Sequence, residues 1–459
     1  MPPLQVVMVA FFLTVSSAAK DTRPVRSGTS VTVPPSIWPL TDRNAYSLLE
    51  TSSRPTSFTF AQPHSSKTIK ALPYPNARPA KLCCFMEHLL YVDGSTQTDL
   101  PVYHLSQFPC AQLMSSYPPN AFEATATASP WRRVLQGLLA LLLLLAVAWW
   151  LGPRNDFGAA MPTARPLPPQ DIAQLDHWLQ TSEAAFADLK PGNAKGIVWA
   201  GAAAQRTPWA VVYLHGFSAS RLETAPLTET VARQLGANVF YTRLTGHGRA
   251  DPSAMGEARV QDWMADTLEA VRIGQTLGER VLVIGCSTGG TLATWLGTSA
   301  EANKVNAYVF VSPNFGPKDK RADIVNMPWG QKVALWIQGP TRSFTPENEQ
   351  EAMAWTPSYP TKAIFPMMAL VKNVRESDLS LFKTPVLMLY SVRDETVEPA
   401  ETLAAFTRLG SSRKSLEPVD YSQSKGQHVL AGAIKDPAAV APMADTIVQW
   451  LTALPKETN

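Results

Sequence analysis

From Gly196 to the C-terminal end, apolar positions gather in short runs separated by amphipathic stretches, a pattern that predicts strands and helices in turn. Strand-like runs lie at Ile197–Ala200, Trp209–Leu214, Val239–Tyr241, Val281–Ile284, Ala307–Val311 and Val386–Tyr390, with helical patterns between several of them, such as Leu227–Leu235 and Val260–Leu277. This alternation predicts βαβ units and a mostly parallel sheet, an α/β class in which right-handed crossovers place functional loops at the carboxyl ends of the strands. Just upstream, Ile172, Leu175, Leu179, Phe186 and Leu189 fall near one face of a helix that Pro191-Gly192 ends.

A different pattern precedes this region. Val134 to Gly152 runs nineteen residues without a charge, close to the ~20 needed to span a bilayer. Trp131 at one end and Trp149-Trp150 at the other occupy the places of interfacial aromatic belts. We therefore expect a single transmembrane helix over 131–152, a Pro-rich linker over 153–170 that spaces the next domain from the membrane, and a folded domain over 171–459. Residues 1–130 are Ser/Thr/Pro-rich without sustained periodicity and read as disordered. Residues 4 to 15 resemble a signal peptide without its positive n-region, and Met114 offers an alternative start for a membrane-anchored chain. Flanking charge is nearly balanced, Arg132-Arg133 before the span and Arg154 and Arg165 after it. A signal anchor starting at Met114 leaves the large domain outside the cytosol; a cleaved signal at residues 4 to 15 reverses that.

The chain's 459 residues carry a net charge of +3, which points to no nucleic-acid or strongly acidic partner. Three of four cysteines (Cys83, Cys84, Cys110) lie in the first quarter, leaving Cys286 alone in the expected folded domain, so an intradomain disulfide is not expected. No Cys/His spacing resembles a zinc site; neither metal nor cofactor is expected.

The candidate chemistry sits at strand ends. Val281–Ile284 is stopped by Gly285, and beyond Gly290 a helix begins, so Gly285-Cys-Ser287-Thr-Gly289 reads as a strand–turn–helix with Ser287 at its apex. Small residues at Gly285 and Gly289 let strand and helix pass closely, and the Thr288 amide at the helix start can point at a developing oxyanion. Taken alone, the same five residues also describe an ordinary Gly-rich turn. Leu214-His215-Gly-Phe217 follows another buried strand and suits a turn whose Phe217 amide supplies a second oxyanion donor; the competing reading is a plain turn with His215 bonded to local backbone. His247, between Gly246 and Gly248, is expected to have a structural loop role. A nucleophilic serine needs a base and an orienting carboxylate. Downstream of Ser287 the chain has a single histidine, His428; Asp394, off the end of Val386–Tyr390, is the expected acid, with Asp420 as the alternative and Glu395 solvated.

Leu-His-Gly-Phe, Leu-Thr-Gly-His-Gly, Gly-Cys-Ser-Thr-Gly-Gly, Ser-Val-Arg-Asp-Glu-Thr-Val and Gly-Gln-His-Val, in this order, resemble an α/β-hydrolase fold serine hydrolase, most closely the carboxylesterases and monoacylglycerol-lipase-like members. The resemblance covers roughly Gly196 to Leu454. It implies helices on both faces of the sheet, a helical cap, Ser287 as nucleophile, His428 as base, Asp394 as its orienter, and the Phe217 and Thr288 amides as oxyanion hole. Thr288 departs from the Met, Gln or other bulkier residue that many relatives carry there. The long interval between Val311 and Val386 is expected to hold the cap, about 313–382, with Met327, Trp329, Trp336, Met353, Trp355, Phe365, Met367 and Met368 as an acyl-binding roof or as packing between cap and body.

The function this implies is a membrane-tethered serine hydrolase that cleaves carboxylic esters of uncharged, fairly apolar substrates, small-molecule or lipid-like, through an acyl-enzyme. An acyltransferase using the same residues and a catalytically inactive membrane receptor on the same fold are the alternatives. A peptidase would need acidic residues near the cap to hold a substrate amino terminus, and none is identifiable. A dehalogenase or epoxide hydrolase would need Asp in place of Ser287.

Overall fold

The computed structural model describes residues 129–156 and 161–455. The expected disorder before residue 129, the signal-like stretch at residues 4 to 15 and the alternative start at Met114 lie outside the described residues.

Helix α1 (Pro130–Trp150) is the apolar segment, and none of its residues is buried. It is the one helix among the described residues long and apolar enough to cross a membrane. After it come α2 (Leu175–Glu183), β1 (Gly196–Val198), β2 (Thr207–Leu214), α3 (Leu227–Leu235), β3 (Asn238–Tyr241), α4 (Val260–Leu277), β4 (Gly278–Cys286), α5 (Thr288–Gly297) and β5 (Ala307–Val311). The long interval contains α6 (Gly330–Gln338), β6 (Thr341–Ser343), α7 (Glu349–Ala354), β7 (Ser358–Pro360) and α8 (Ile364–Glu376); the chain then returns through β8 (Val386–Tyr390), α9 (Pro399–Arg408), β9 (Lys414–Pro418) and α10 (Val440–Ala453).

Seven strands form one sheet in the order β1-β3-β2-β4-β5-β8-β9. All neighbours are parallel except β1 and β3. The central strands carry unbroken apolar runs, Ala210–Leu214 in β2 and Val281–Ile284 in β4, because both faces are covered there. In β2, Ala210, Val212 and Leu214 pack with α2, α4 and α5 on one face, while Val211 and Tyr213 pack with α3 and α10 on the other. Strand β4 divides the same way, Val281 and Val283 against Leu282, Ile284 and Cys286. The expected strands all form; β9 was not anticipated, because Lys414–Pro418 is a half-exposed edge without an apolar run.

Two expectations change. The cap is not purely helical: β6 and β7 pair antiparallel inside it, three residues each and too short to register as strands in the sequence. The linker is not a free spacer. Asn155 is buried and hydrogen-bonded to Asn326, Gln331 and the Phe365 carbonyl of the cap, while Arg165 pairs with buried Asp266 of α4. Pro-rich composition predicts a spacer and gives no sign of the side chains that fasten it.

Candidate active site

The turn between β4 and α5 forces Ser287 into φ +51°, ψ −115°, a conformation that side-chain-bearing residues rarely adopt. Its neighbours must be small for this turn to close. A Cβ on Gly285 would lie 2.7 Å from the Gly289 backbone, and one on Gly289 would collide with the Leu214 carbonyl. The Ser287 amide donates to Val311 O at 3.0 Å and its carbonyl accepts from Asn314 N at 3.0 Å, which locks the strained residue to β5 and the segment following it. Thr288 opens α5, so its N–H has no carbonyl one turn back to bond.

Asp394 and His428 reach Ser287 from the ends of two other segments. Asp394 is buried just past β8; its Oδ1 accepts the amides of Thr396 (2.8 Å) and Val397 (2.9 Å), leaving Oδ2 for His428 Nδ1 at 2.8 Å. His428 Nε2 lies 3.0 Å from Ser287 Oγ. With Nδ1–H donated to the carboxylate, Nε2 is the unprotonated nitrogen facing the hydroxyl. The three residues singled out in the sequence are thus brought together. Asp420 is exposed and has no place in this chain of bonds, and Glu395 is exposed as expected.

The turn after β2, which carries the Phe217 amide expected as a second oxyanion donor, is braced by side chains. His215 is fully buried: Nε2 accepts the Leu244 amide (3.0 Å), so Nδ1 carries the proton and donates to Gly216 O (2.9 Å). Burial first, then neighbouring His247, holds its pKa well below the ordinary value, so it is a neutral strut and not a base. His247 is also buried, with its pKa pushed down to about 4 by burial, and packs on His215, Phe217 and Trp263. Its expected loop role matches this packing. Among the described residues the Phe217 amide donates to no backbone carbonyl.

One group was missed in the sequence. Glu223 is buried beside Ser287; its Oε1 accepts the Gly216 amide (2.6 Å) and the Tyr213 hydroxyl (2.9 Å). Its Oε2 and the Ser287 Cβ crowd the same point, 2.9 and 3.2 Å from where a Gly216 Cβ would stand. Burial pushes this carboxyl up to about 7. The available signal was a lone acid seven residues after Gly216 in a loop that follows a buried strand. Cys286 is buried against it, with burial raising its thiol well above the usual value, and is a packing residue.

Above Ser287 and His428 lies a cavity of ≈700 Å³ roofed by the cap. Only Trp355, Met367 and Met368 of the eight expected roof residues line it; Met327, Trp329, Trp336 and Met353 are exposed and Phe365 packs inside the cap. Phe217, Ile324, Tyr359 and Ile364 complete much of the apolar wall. Glu351 also borders the cavity, but Lys435 Nζ (2.6 Å) and the Glu347 amide (2.6 Å) occupy its carboxylate.

Residues 205–421 match the family described as "Serine aminopeptidase, S33". Together with the sheet order and the strand–Ser287–helix turn, this decides the fold. The folded domain has the α/β-hydrolase fold. Similar solved structures include the metagenome-derived lipolytic enzymes LipS and LipT (21% identity, TM-score 0.47, covering 57% of this chain and 99% of that one). A monoacylglycerol lipase from Paleococcus ferrophilus is 18% identical (TM-score 0.42, 56% and 98% covered). A soluble variant of monoglyceride lipase from Saccharomyces cerevisiae is 15% identical (TM-score 0.44, 56% and 90% covered). No curated protein matches the chain.

Proposed function

We propose that this α/β-hydrolase is a membrane-tethered serine esterase. The observation that carries the reading is the continuous hydrogen-bonded line from Asp394 Oδ2 through His428 to Ser287 Oγ at the floor of the capped cavity. Ser287 Oγ attacks the ester carbonyl as His428 Nε2 takes its proton; the tetrahedral oxyanion is held by the Phe217 and Thr288 amides. His428 then returns the proton to the leaving alcohol, and the C–O bond breaks to give acyl-Ser287. Water, deprotonated by the same imidazole, attacks the acyl carbon and releases the acid and free serine. Asp394 keeps the imidazole in the required tautomer and stabilises the imidazolium between the two proton transfers.

An apolar wall built from Met367, Met368, Phe217 and Trp355 favours an uncharged acyl group. Aminopeptidase chemistry would need a free acid for a substrate ammonium. Glu351 is taken by Lys435, Asp319 by Arg321, and Glu223 is committed to Gly216 and Tyr213, which leaves exposed Glu395 at the cavity wall as the acid a peptidase would have to use. Helix α1 is the tether in this reading, with the domain outside the cytosol; protease digestion of that domain in intact cells tests the orientation. Labelling by a fluorophosphonate probe tests the chemistry. Wild-type protein should label and hydrolyse short soluble esters. Ser287→Ala should abolish labelling and lower turnover by several orders of magnitude without shifting the thermal midpoint downward. Full labelling of that variant would remove Ser287 from the mechanism.

A further inference from the structure

The cap presents an apolar surface to the outside. Met327, Trp329, Leu335, Trp336, Ile337 and Phe344 are each more than a third exposed, Trp336 at 72%. This clustering on one part of the cap contrasts with the singly scattered apolar residues of an ordinary surface. What lies beside it identifies its occupant. Trp329 donates its indole N–H to Ala148 O of α1 at 3.0 Å, satisfying one of the carbonyls that the last turn of a helix leaves open. Its backbone amide donates to Pro153 O at 2.8 Å, just past the helix end. Gly152 must be glycine for this contact, because a Cβ there would stand inside the Trp329 indole. Trp329 itself holds φ +62°, a strained setting for a bulky residue, fixed by these bonds to the anchor. Three residues past Gly152, buried Asn155 bonds to Asn326, Gln331 and Phe365, three separate parts of the cap.

Helix α1 has 21 residues, ~31 Å at 1.5 Å per residue, the thickness of a bilayer's hydrocarbon core. If it spans, Ala148 lies at one boundary of that core and Trp329, bonded to it, lies at the same depth. Trp149, Trp150, Trp329 and Trp336 then form one interfacial aromatic group, with Lys332 stacked over Trp329 and available to headgroup phosphate. Helix α6 starts just past Trp329, its N-cap, and Ile337 lies ~12 Å along it. Ile337 and Phe344 line the cavity and are also exposed, so the cavity opens at that end of the helix.

We propose that this cap face docks into the phospholipid interface, held at that depth by the clamp between α1 and the cap, so that the active-site mouth opens at headgroup level. An amphiphilic ester then enters from the leaflet without crossing bulk water. The proposal rests on reading α1 as a spanning helix and the site as an esterase, and each of those is read separately in the test.

The full chain is reconstituted in phosphatidylcholine vesicles. Alkaline carbonate should leave it in the membrane pellet; release would overturn the span and the docking with it. Tryptophan emission is compared between wild type and Trp336→Phe. The component lost with Trp336 should be quenched by brominated phosphatidylcholine and shielded from aqueous acrylamide. Quenching by acrylamide alone overturns the docking, and shielding from both quenchers assigns the face to protein and overturns it too. Trp336→Glu should hydrolyse a water-soluble short-chain ester within twofold of wild type, yet lose about tenfold on a long-chain ester resident in the vesicles. Equal turnover of both esters relative to wild type overturns loading from the leaflet. If wild-type protein hydrolyses neither ester, the esterase reading fails while the quenching still decides the docking.

Discussion

In the sheet, Ala210 through Leu214 and Val281 through Ile284 are buried on both faces, and helices press on them from either side. In the cap, tryptophans and leucines of equal hydrophobicity stand in the open, and the buried cluster beneath them is small, built around Met255, Val325, Phe365 and Met368. The difference separates two tasks. Two-sided burial fixes the strand ends, so the Asp394, His428 and Ser287 atoms gathered there are held at hydrogen-bond distances without substrate. One-sided packing leaves the cap able to present a different surface to a different solvent.

If the sheet face alone sets the chemistry, the largest effect should come from a side chain at a strand end that leaves packing intact. Asp394→Asn retains an oxygen for the Thr396 and Val397 amides, but its amide group no longer enforces the Nδ1–H tautomer of His428. Turnover of a soluble ester should fall on the order of 10⁴. Asp420→Asn should change it less than twofold. Equal losses in the two variants would mean that the position of Asp394 past β8 does not decide the acid.

How much of this was legible follows from the same contrast. Ser287 was readable because the strained turn demands a local spelling, and His428 because no other histidine follows. Asp394 was readable from its place off a buried strand. Glu223 was not, because its burial depends on Tyr213 and Gly216 folding over it, and no periodicity marks that. The cap was legible as an interval too long for a connection, but which of its aromatics face inward was not: Trp355 lines the cavity and Trp336 does not, although both occupy apolar-rich segments. The anchoring of Asn155 and Arg165 was hidden for a related reason. Isolated polar residues in a Pro-rich stretch announce nothing until their partners, on α4 and across the cap, are in place.

Glu223 sharpens the comparison by showing that the rigid side accommodates an unfavourable group. Its carboxyl ionises near the ordinary 4.5 in the unfolded chain and at about 7 in the folded protein. Below 4.5 both states keep the proton and the group adds no penalty. As pH rises from 4.5 to 7 the unfolded chain releases a proton that the folded protein retains, so stability falls; above 7 the loss is constant at about 3 kcal/mol. Glu223→Gln keeps an oxygen for the Gly216 and Tyr213 donors. Its stability advantage over wild type, from urea midpoints, should grow between pH 4.5 and 7 and then level off. A pH-independent difference would mean that Glu223 is ionised throughout.

The linker tests whether the sheet side is self-sufficient. Arg165→Ala leaves Asp266, 1% exposed, with only Thr245 as a side-chain partner among the described residues. Because the Arg165 side chain is 26% exposed, the cost should be about 2 kcal/mol, below that of a fully buried pair. It should appear as a lower thermal midpoint with unchanged KM for a soluble ester. No shift would restore the picture of a linker that only spaces the domain from the membrane.

The smallest effect belongs to the inner surface of the cap. Met367 lines the cavity and touches the elbow through Asn314, whose Nδ2 lies 3.4 Å from its sulfur and whose amide holds the Ser287 carbonyl. A bulkier residue there should shorten the space for an acyl chain without reaching the reacting atoms. Each methylene that an apolar pocket accepts or refuses is worth about 1–3 kcal/mol. Met367→Trp should therefore leave kcat/KM for an acetyl ester within about twofold and lower it about tenfold for an octanoyl ester of the same alcohol. The ratio between the two substrates is the quantity to measure, since any general damage to folding or to the elbow cancels from it. If both esters lose equally, Met367 supports Ser287 through Asn314 instead of shaping the acyl space, and the division between a body that reacts and a cap that selects would fail at that residue.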